Sequence, residues 1–227
     1  RGGNVVLVAG ITEGETPNLD ALCAYMGLQA AQGLVVEQDQ NNYYRNPYYL
    51  LPNISYSSFT SGLSGQYYVF VPFSRGVRIQ DESREDISYT KFLTTSDSAF
   101  AKGDLTNLED YEKSEGDTEG PFVLGVSAVK TLEDGRKATL VMFGSEQIFS
   151  EEANVMVGGA NQILFTNTIG TFAKHEVSVS IPAKSYHVSY LMIPQSRAVL
   201  FGVLLTVVIP LGCLAAGFLI WFRRRKL

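Results

Sequence analysis

Short apolar runs separated by polar, glycine-rich stretches mark out the secondary structure of the first 175 residues. Residues 5–8 form an apolar run after two glycines, which is typical of a buried strand. A helix is predicted next, because Thr16 can cap it, Pro17 suits its first turn and Gly27 can end it. Its apolar residues recur at helical spacing: Leu19, Leu22, Cys23 and Met26. A second strand at 33–36 completes the order of a parallel βαβ unit.

Further strands and one helix are predicted between this unit and the C-terminal segment. The buried strands lie at 66–73, 121–130 and 138–143. Asp134-Gly135, between the last two, is a strong hairpin-turn signal. A helix is predicted over 161–172 with Asn161 as its N-cap, and the alternating polarity of 176–193 predicts two short strands. Together these elements favour an α/β fold with a mainly parallel sheet.

The longest apolar stretch lies near the C-terminus. Residues 198–222 contain no charged side chain, and a helix of that length is roughly 37 Å long, enough to cross a bilayer core of about 30 Å. Pro210 is tolerated in such a helix, and Trp221 lies at its end, where an aromatic residue suits the lipid interface. The sequence therefore predicts one transmembrane helix. Its small residues offer a face on which another helix can dock: Gly202, Thr206, Gly212, Ala216 and Gly217.

Basic residues flank this helix unequally, which predicts its orientation. Four of them follow it, and only Arg197 precedes it on the other side. The following residues act as a topology anchor: Arg223, Arg224, Arg225 and Lys226. The positive-inside rule places the C-terminus in the cytoplasm and residues 1 to about 197 outside the cell membrane.

The chain is predicted to have four parts, the first of which contains an acidic loop. They are an extracytoplasmic α/β domain (1–175), a membrane-proximal β segment (176–197), the transmembrane helix (198–222) and a basic cytoplasmic tail (223–227). Because the chain starts with Arg1 and not with Met, we expect it to be the C-terminal portion of a longer protein. Residues 104–119 are poor in apolar side chains and rich in Gly, Asp and Glu, so we expect a solvated, mobile loop. Its carboxylates lack the regular placement of a calcium loop.

Composition excludes several classes of function. The net charge of −5 argues against a nucleic-acid partner, which requires a basic face. Two cysteines and two histidines exclude a disulfide-stapled scaffold and a four-ligand zinc site. No nucleotide-binding glycine motif occurs. Gly62-Leu63-Ser64-Gly65 is not a nucleophile elbow, because Gln66 stands where the second glycine of Gly-x-Ser-x-Gly should be. We therefore assign no catalytic residue, no cofactor and no metal ligand.

Two polar or aromatic clusters each leave two interpretations open. Thr95, Ser96 and Asp97 combine small hydroxyls with a carboxylate and are candidates for lining a ligand cleft, or they cap the backbone of a turn. The tyrosine-rich stretch 43–49 could stack on a sugar or a partner, or it packs over a sheet edge.

The order of several short motifs resembles one family. They are Gly33-Leu34-Val35-Val36-Glu37, Pro47-Tyr48-Tyr49-Leu50-Leu51-Pro52, the Thr94–Ser98 cluster, Glu119-Gly120-Pro121, Val141-Met142-Phe143-Gly144-Ser145, Gly159-Ala160-Asn161, and the Ile209-Pro210-Leu211 and Trp221–Arg225 parts of the last helix. With these motifs the chain resembles the C-terminal portion of the GldG-type auxiliary proteins of ABC transport systems, which are named for gliding motility.

The resemblance implies a fold, partners and a function. It implies a partial glutamine-amidotransferase-like (flavodoxin-like) ectodomain without catalytic residues, preceded by a membrane helix and an earlier half-domain. It also implies an ABC ATPase and a multi-span permease as partners, and an ectodomain that binds a substrate or an envelope glycan or peptide. The expected function is that of a non-catalytic, membrane-anchored accessory subunit. Two alternatives stay open: a stand-alone surface glycan- or partner-binding protein, and an anchored hydrolase whose nucleophile lies in the earlier part.

Overall fold

The computed structural model describes residues 2–11, 14, 16–63, 65, 67–173 and 193–225 and has a mixed α/β architecture. In chain order the strands are β1 (Gly3–Val8), β2 (Leu28–Ala30), β3 (Leu34–Val36), β4 (Tyr43–Tyr44), β5 (Asn46–Leu50), β6 (Asn53–Ile54), β7 (Val71–Pro72), β8 (Val77–Ile79), β9 (Ile87–Thr94), β10 (Phe100–Lys102), β11 (Thr118–Glu119), β12 (Val123–Thr131) and β13 (Lys137–Phe143). The helices are α1 (Pro17–Tyr25), α2 (Glu151–Met156), α3 (Ala160–Phe172), α4 (Gln195–Val203) and α5 (Ile209–Arg225), with a π-helical segment at Leu204–Val208 between the last two.

A seven-stranded sheet is organised around β12. This strand pairs antiparallel with β13 along one edge and with β9 along the other, and its first residue, Val123, also pairs with Val77 of β8. The sheet continues from β13 to β1, from β9 to β6 and from β8 to β2. The turn at Asp134-Gly135 joins β12 to β13, so the predicted hairpin is confirmed.

The expected mainly parallel sheet is wrong for the described strands. Only β1 and β13 run parallel, with Val5 opposite Leu140; every other described pair is antiparallel. The predicted βαβ unit fails because a strand that the sequence did not indicate, β2, follows α1 and pairs with β8. As a result β3 leaves the main sheet and pairs with β10 in a separate three-stranded sheet, β11–β10–β3. A third sheet has the order β4–β5–β7, in which β7 is the part of the predicted strand 66–73 that is in strand conformation.

Two apolar cores lie on opposite faces of the main sheet. Along β13 the side chains alternate between them, since Val141 and Phe143 join one core while Leu140 and Met142 join the other. The first core lies under α2 and α3, and the second includes Cys23 and Met26 at the end of α1. Burial of Cys23, which raises the pKa of its thiol, agrees with a packing role for this residue.

Close backbone approach explains the glycine at the end of β13. The Gly144 carbonyl accepts a hydrogen bond from the Arg75 N–H at 2.8 Å, and the Gly144 N–H donates to the Leu124 carbonyl at 3.0 Å. A Cβ on Gly144 would lie 2.0 Å from the Arg75 carbonyl oxygen, so a larger residue cannot occupy this position without displacing the backbone.

The predicted helix over 161–172 is present, but Asn161 is not its N-cap. The helix begins at Ala160, after Gly159, whose φ of 95° suits glycine. Asn161 lies in the first turn with its side chain completely buried. Its amide group donates to the carbonyls of Phe70 at 2.7 Å and Ile148 at 2.6 Å, and its oxygen accepts from the Phe70 N–H at 3.0 Å. Asn161 therefore holds two loops against the helix.

The C-terminal helix is the one candidate membrane span among the described residues. It runs from Gln195 to Arg225, 31 residues with a mean hydropathy of 2.6 in its most apolar window, and none of that window is buried against the other described residues. Pro210 cannot donate a backbone hydrogen bond, and the π-helical segment ends two residues before it, at Val208. The hydroxyl of Thr206, in this segment, donates to the carbonyl of Gly202 in α4 at 2.6 Å. By length and composition the helix can anchor the protein in a membrane.

The two strands predicted within 176–193 lie outside the described residues, except for residue 193.

Replacing Asn161 with leucine should destabilise the α/β domain strongly. The Asn161→Leu variant leaves the Phe70 and Ile148 backbone groups buried without partners, which we expect to lower the free energy of unfolding by roughly 2–5 kcal/mol. Urea unfolding of the full chain in a mild detergent, followed by near-UV circular dichroism of the tyrosines, measures the change. The exposed neighbour supplies the control, since Gln162→Leu should change the same quantity by about 0.5 kcal/mol or less. Equal losses in the two variants would contradict the assigned role of Asn161.

Candidate functional site

The turn between β9 and β10 carries the three residues that the sequence singled out as a candidate ligand cleft. Thr95 is buried, and its backbone N–H donates to the Phe122 carbonyl at 2.9 Å. Its Oγ1 accepts a hydrogen bond from the Phe122 N–H at 2.8 Å and donates to the Ser96 carbonyl at 3.0 Å. Thr95 thus attaches the turn to the segment that enters β12.

Ser96 connects the same turn to a buried carboxylate, Glu37, which follows β3. The side chain of Glu37 is 1% exposed. The Ser96 hydroxyl donates to Glu37 Oε1 at 2.6 Å and the Ser96 N–H donates to Oε2 at 3.0 Å. The Asp39 N–H donates to Oε1 at 3.0 Å. Three donors therefore solvate the carboxylate in place of water, and no salt bridge to it occurs among the described residues.

These contacts are the hydrogen bonds of a turn. The Ser96 hydroxyl also accepts from the Ser98 N–H at 3.1 Å, so both Thr95 and Ser96 use their side chains on neighbouring backbone. Asp97 is exposed and stands apart from this network. The structure brings Thr95 and Ser96 together with Glu37, whose part the sequence did not reveal because Glu37 is 59 residues away from Ser96. A ligand role for Thr95, Ser96 and Asp97 stays a prediction.

The acidic segment after β10 folds around Lys102, whose side chain is 4% exposed. Lys102 Nζ donates to Asp110 Oδ2 at 2.7 Å and to the Glu112 carbonyl at 2.9 Å. Two hydrogen bonds lower the pKa of the Asp110 carboxyl. The one from Lys102 has the larger effect, and the one from the Glu112 N–H has the smaller. The carboxylate of Asp117 accepts from the backbone N–H groups of Gly103 and Ser114. The carboxylates of Asp110 and Asp117 are therefore already hydrogen-bonded. No cluster of three or more metal-binding side chains occurs in the described part of the chain.

The tyrosine-rich stretch contributes to packing in this structure. Tyr48 is completely buried and stacks on Phe73 with ring centroids 5.9 Å apart, while Tyr49 meets the edges of Phe70 and Phe73 at 5.5 Å. Burial raises the pKa of Tyr48. The rings of Tyr48 and Tyr49 therefore pack within the protein, which is the second of the two interpretations of this stretch.

The C-terminal helix presents its small residues on a bare surface. Every described residue from Arg197 to Arg225 is exposed, which includes the whole predicted docking face: Gly202, Thr206, Gly212, Ala216 and Gly217. At the other end, the Arg225 guanidinium lies 5.2 Å from the centroid of the Trp221 ring. Arg223, Arg224 and Arg225 form the last turn, where cations also suit the helix dipole, and Lys226 lies outside the described residues.

Comparison with known proteins gives a fold neighbour. Neither a protein-family model nor a curated protein matches the chain. A solved structure described as the mmIFT52 N-terminal domain is similar, with a TM-score of 0.50 and 14% sequence identity. The match covers 78% of this chain and 68% of that one. At this identity the similarity concerns the fold alone.

Removing the Ser96 hydroxyl should destabilise the turn at Glu37. We expect Ser96→Ala to lower the free energy of unfolding by about 1.5–3 kcal/mol, because a buried carboxylate loses one of its three donors. Ser98→Ala is the matched control, since the Ser98 side chain is exposed in the same turn and its replacement should cost about 0.5 kcal/mol or less. Urea unfolding at pH 7 measures both; a Ser96 variant as stable as the control would show that Glu37 does not depend on this hydroxyl.

Proposed function

We propose that the protein is a non-catalytic, membrane-anchored accessory subunit of an ABC-type transport system. The observation that carries the proposal is the uncovered apolar helix from Gln195 to Arg225, combined with the resemblance to GldG-type auxiliary proteins. The helix supplies a surface for a membrane partner, and the resemblance supplies the kind of partner, a multi-span permease with its ATPase.

The side chains of the helix suit a membrane anchor that also packs against a helix of another protein. Large apolar side chains cover most of its length, and lipid can cover them at no cost. Apolar area alone gives no drive for helix association inside a bilayer, so close backbone approach at small residues has to provide it. Gly212 and Gly217 lie in α5 with open space around them, which leaves room for a second helix.

The ectodomain would bind a transported substrate or an envelope component. Its sheet has an apolar core on each face, and its buried charged groups, Glu37 and Lys102, are hydrogen-bonded within the fold. The amidotransferase-like ancestry that the resemblance implies remains a hypothesis, and its parallel-sheet form does not apply to the described strands. Nothing in the proposal requires a role in gliding.

We also propose that the ectodomain faces the outside of the cell membrane and that the C-terminus lies in the cytoplasm. The support is the cluster of arginines in the last turn of α5, against Arg197 at the beginning of the apolar stretch.

Purification from native membranes tests the partner. The full-length tagged protein, solubilised in mild detergent, should recover an ABC ATPase together with a multi-span permease. We expect Gly212→Leu and Gly217→Leu to reduce this recovery severalfold, because leucine prevents close approach of a partner helix. Leu214→Ile and Leu219→Ile are matched controls on the same helix, and both should retain the partners.

Two results would count against the accessory-subunit proposal. The protein could come out alone in several mild detergents, which would favour a stand-alone surface binder. Alternatively, the glycine and leucine variants could recover the same partners equally well, which would remove the helix face from the proposal.

Labelling of intact cells tests the orientation. In a background without the native cysteines, Ser83→Cys should react with a membrane-impermeant maleimide in intact cells, because Ser83 is exposed on the ectodomain. Leu227→Cys should react only after the membrane is permeabilised. The opposite pattern would reverse the topology while leaving the anchor intact.

A further inference from the structure

A cleft of about 760 Å³ opens where the main sheet extends beyond the end of α3. Its floor comes from one face of four neighbouring strands, and its walls include Phe59 and Phe172. The strand register places the floor residues side by side: Asn4 is opposite Thr139, Thr139 is opposite Val129, and Ser127 is opposite Thr90. The volume is within the range of sites that bind small molecules, about 300–1,000 Å³.

The face of the sheet changes character at this point. Further along the same face, β1 and β13 place apolar side chains under the helices, Val6 and Val8 from one strand and Val141 and Phe143 from the other. Toward the cleft, the residues two positions earlier on these strands are Asn4 and Thr139. Asn4 is exposed and Thr139 half-buried, so amide and hydroxyl groups line the part of this face that is open to solvent.

Ser127 provides an independent sign of a ligand. It lies on the central strand at the floor of the cleft, it is 1% exposed, and its Oγ has no hydrogen-bond partner among the described residues. An unpaired buried hydroxyl costs about 1–3 kcal/mol, and native proteins tolerate one where a water or a ligand completes it. Thr139 and Thr90 also line the cleft, so their hydroxyls can hydrogen-bond to the same ligand.

The basic residues around the cleft favour an anionic ligand. Although the chain carries a net charge of −5, the described residues that line the cleft include Arg136 and Lys137 and no carboxylate. Arg136 is paired with Asp134, through its Nε at 2.7 Å. Lys137 makes no ion pair among the described residues. The cleft therefore has hydroxyl and amide groups at its floor and a cation at its mouth.

We propose that this cleft binds a small anion that carries hydroxyl groups, with Ser127 and Thr139 contacting the hydroxyls and Lys137 contacting the anionic group. The cleft is formed by the ectodomain alone, so the proposal is independent of whether a transporter is the partner in the membrane.

Cysteine accessibility tests the cleft in the full chain, reconstituted in nanodiscs. In a Cys23→Ala, Cys213→Ala background, Ser127→Cys replaces one buried hydroxyl with a thiol of similar size. Two methanethiosulfonate reagents probe it, an anionic one with a sulfonate and a cationic one with a trimethylammonium group. Ser55→Cys, at an exposed position outside the cleft, gives the reference ratio of anionic to cationic reaction rates.

We expect the thiol at position 127 to react and to favour the anionic reagent relative to the reference. Adding Lys137→Gln should lower that preference by about fivefold, as expected for the loss of one nearby charge at a partly exposed site. Millimolar gluconate, an anionic polyol, should slow the modification, whereas glucitol, its uncharged analogue, should not.

Each remaining outcome overturns the proposal. A thiol that does not react in a folded protein means that the cleft is closed to solutes. A ratio equal to the reference, or one unaffected by the change at Lys137, removes the selection for anions. Modification that gluconate does not slow, or that glucitol slows equally, removes the anionic polyol as the class of ligand.

Discussion

The pairing of β12 on both of its edges is the constraint on which the rest of the α/β domain depends. Leu124, Val126 and Ala128 of this strand are fully buried, and its two neighbours, β13 and β9, are fixed by the register along most of its length. Through β13 it places β1, and through β9 it places β6. Because side chains alternate across a strand, the same register assigns residues to the two cores. A shift of β12 by one residue would exchange the cores and move Ser127 away from the cleft.

Segments outside the main sheet are fixed by buried polar side chains. Asn161 reaches the backbone of Phe70 across 91 residues of sequence, and Glu37 receives Ser96 across 59. Asn167, on the same helix as Asn161, donates to the carbonyls of Phe59 and Ser61. A neutral hydrogen bond adds only about 1 kcal/mol of net stability, but an unmade one in the interior costs more, so these contacts mainly exclude alternative arrangements of the loops. They also position Phe59 as one wall of the cleft.

Short sequence patterns predicted the turns and helices that depend on neighbouring residues alone. Asp134-Gly135 fixes a hairpin because the turn conformation is encoded in two residues, and α1, α3 and the C-terminal apolar helix follow from spacing and length. Strand direction could not be predicted in this way, since an apolar run such as 33–36 suits a parallel and an antiparallel neighbour equally. The three residues of β2 gave too short a pattern to detect, yet their pairing with β8 diverts the chain from a βαβ path. The partners of Asn161 and Glu37 are distant in sequence, so their roles required the fold, and the same holds for Ser127, which in the sequence is one hydroxyl within a strand.

The two surfaces that have no partner in the described part of the chain differ in what can satisfy them. The apolar helix gains roughly 1.5–3 kcal/mol for each large side chain removed from water, and lipid supplies that gain without any protein. What lipid does not supply is specific close packing. The Thr206 hydroxyl is already bonded to the Gly202 carbonyl, so Gly212 and Gly217 remain as the positions where a second helix can come near. The cleft differs, because Ser127 needs a hydrogen-bond partner and apolar cover alone would leave its cost unchanged. A membrane partner on the helix and a polar guest in the cleft thus satisfy separate physical requirements, and the occupant of one surface does not determine the occupant of the other.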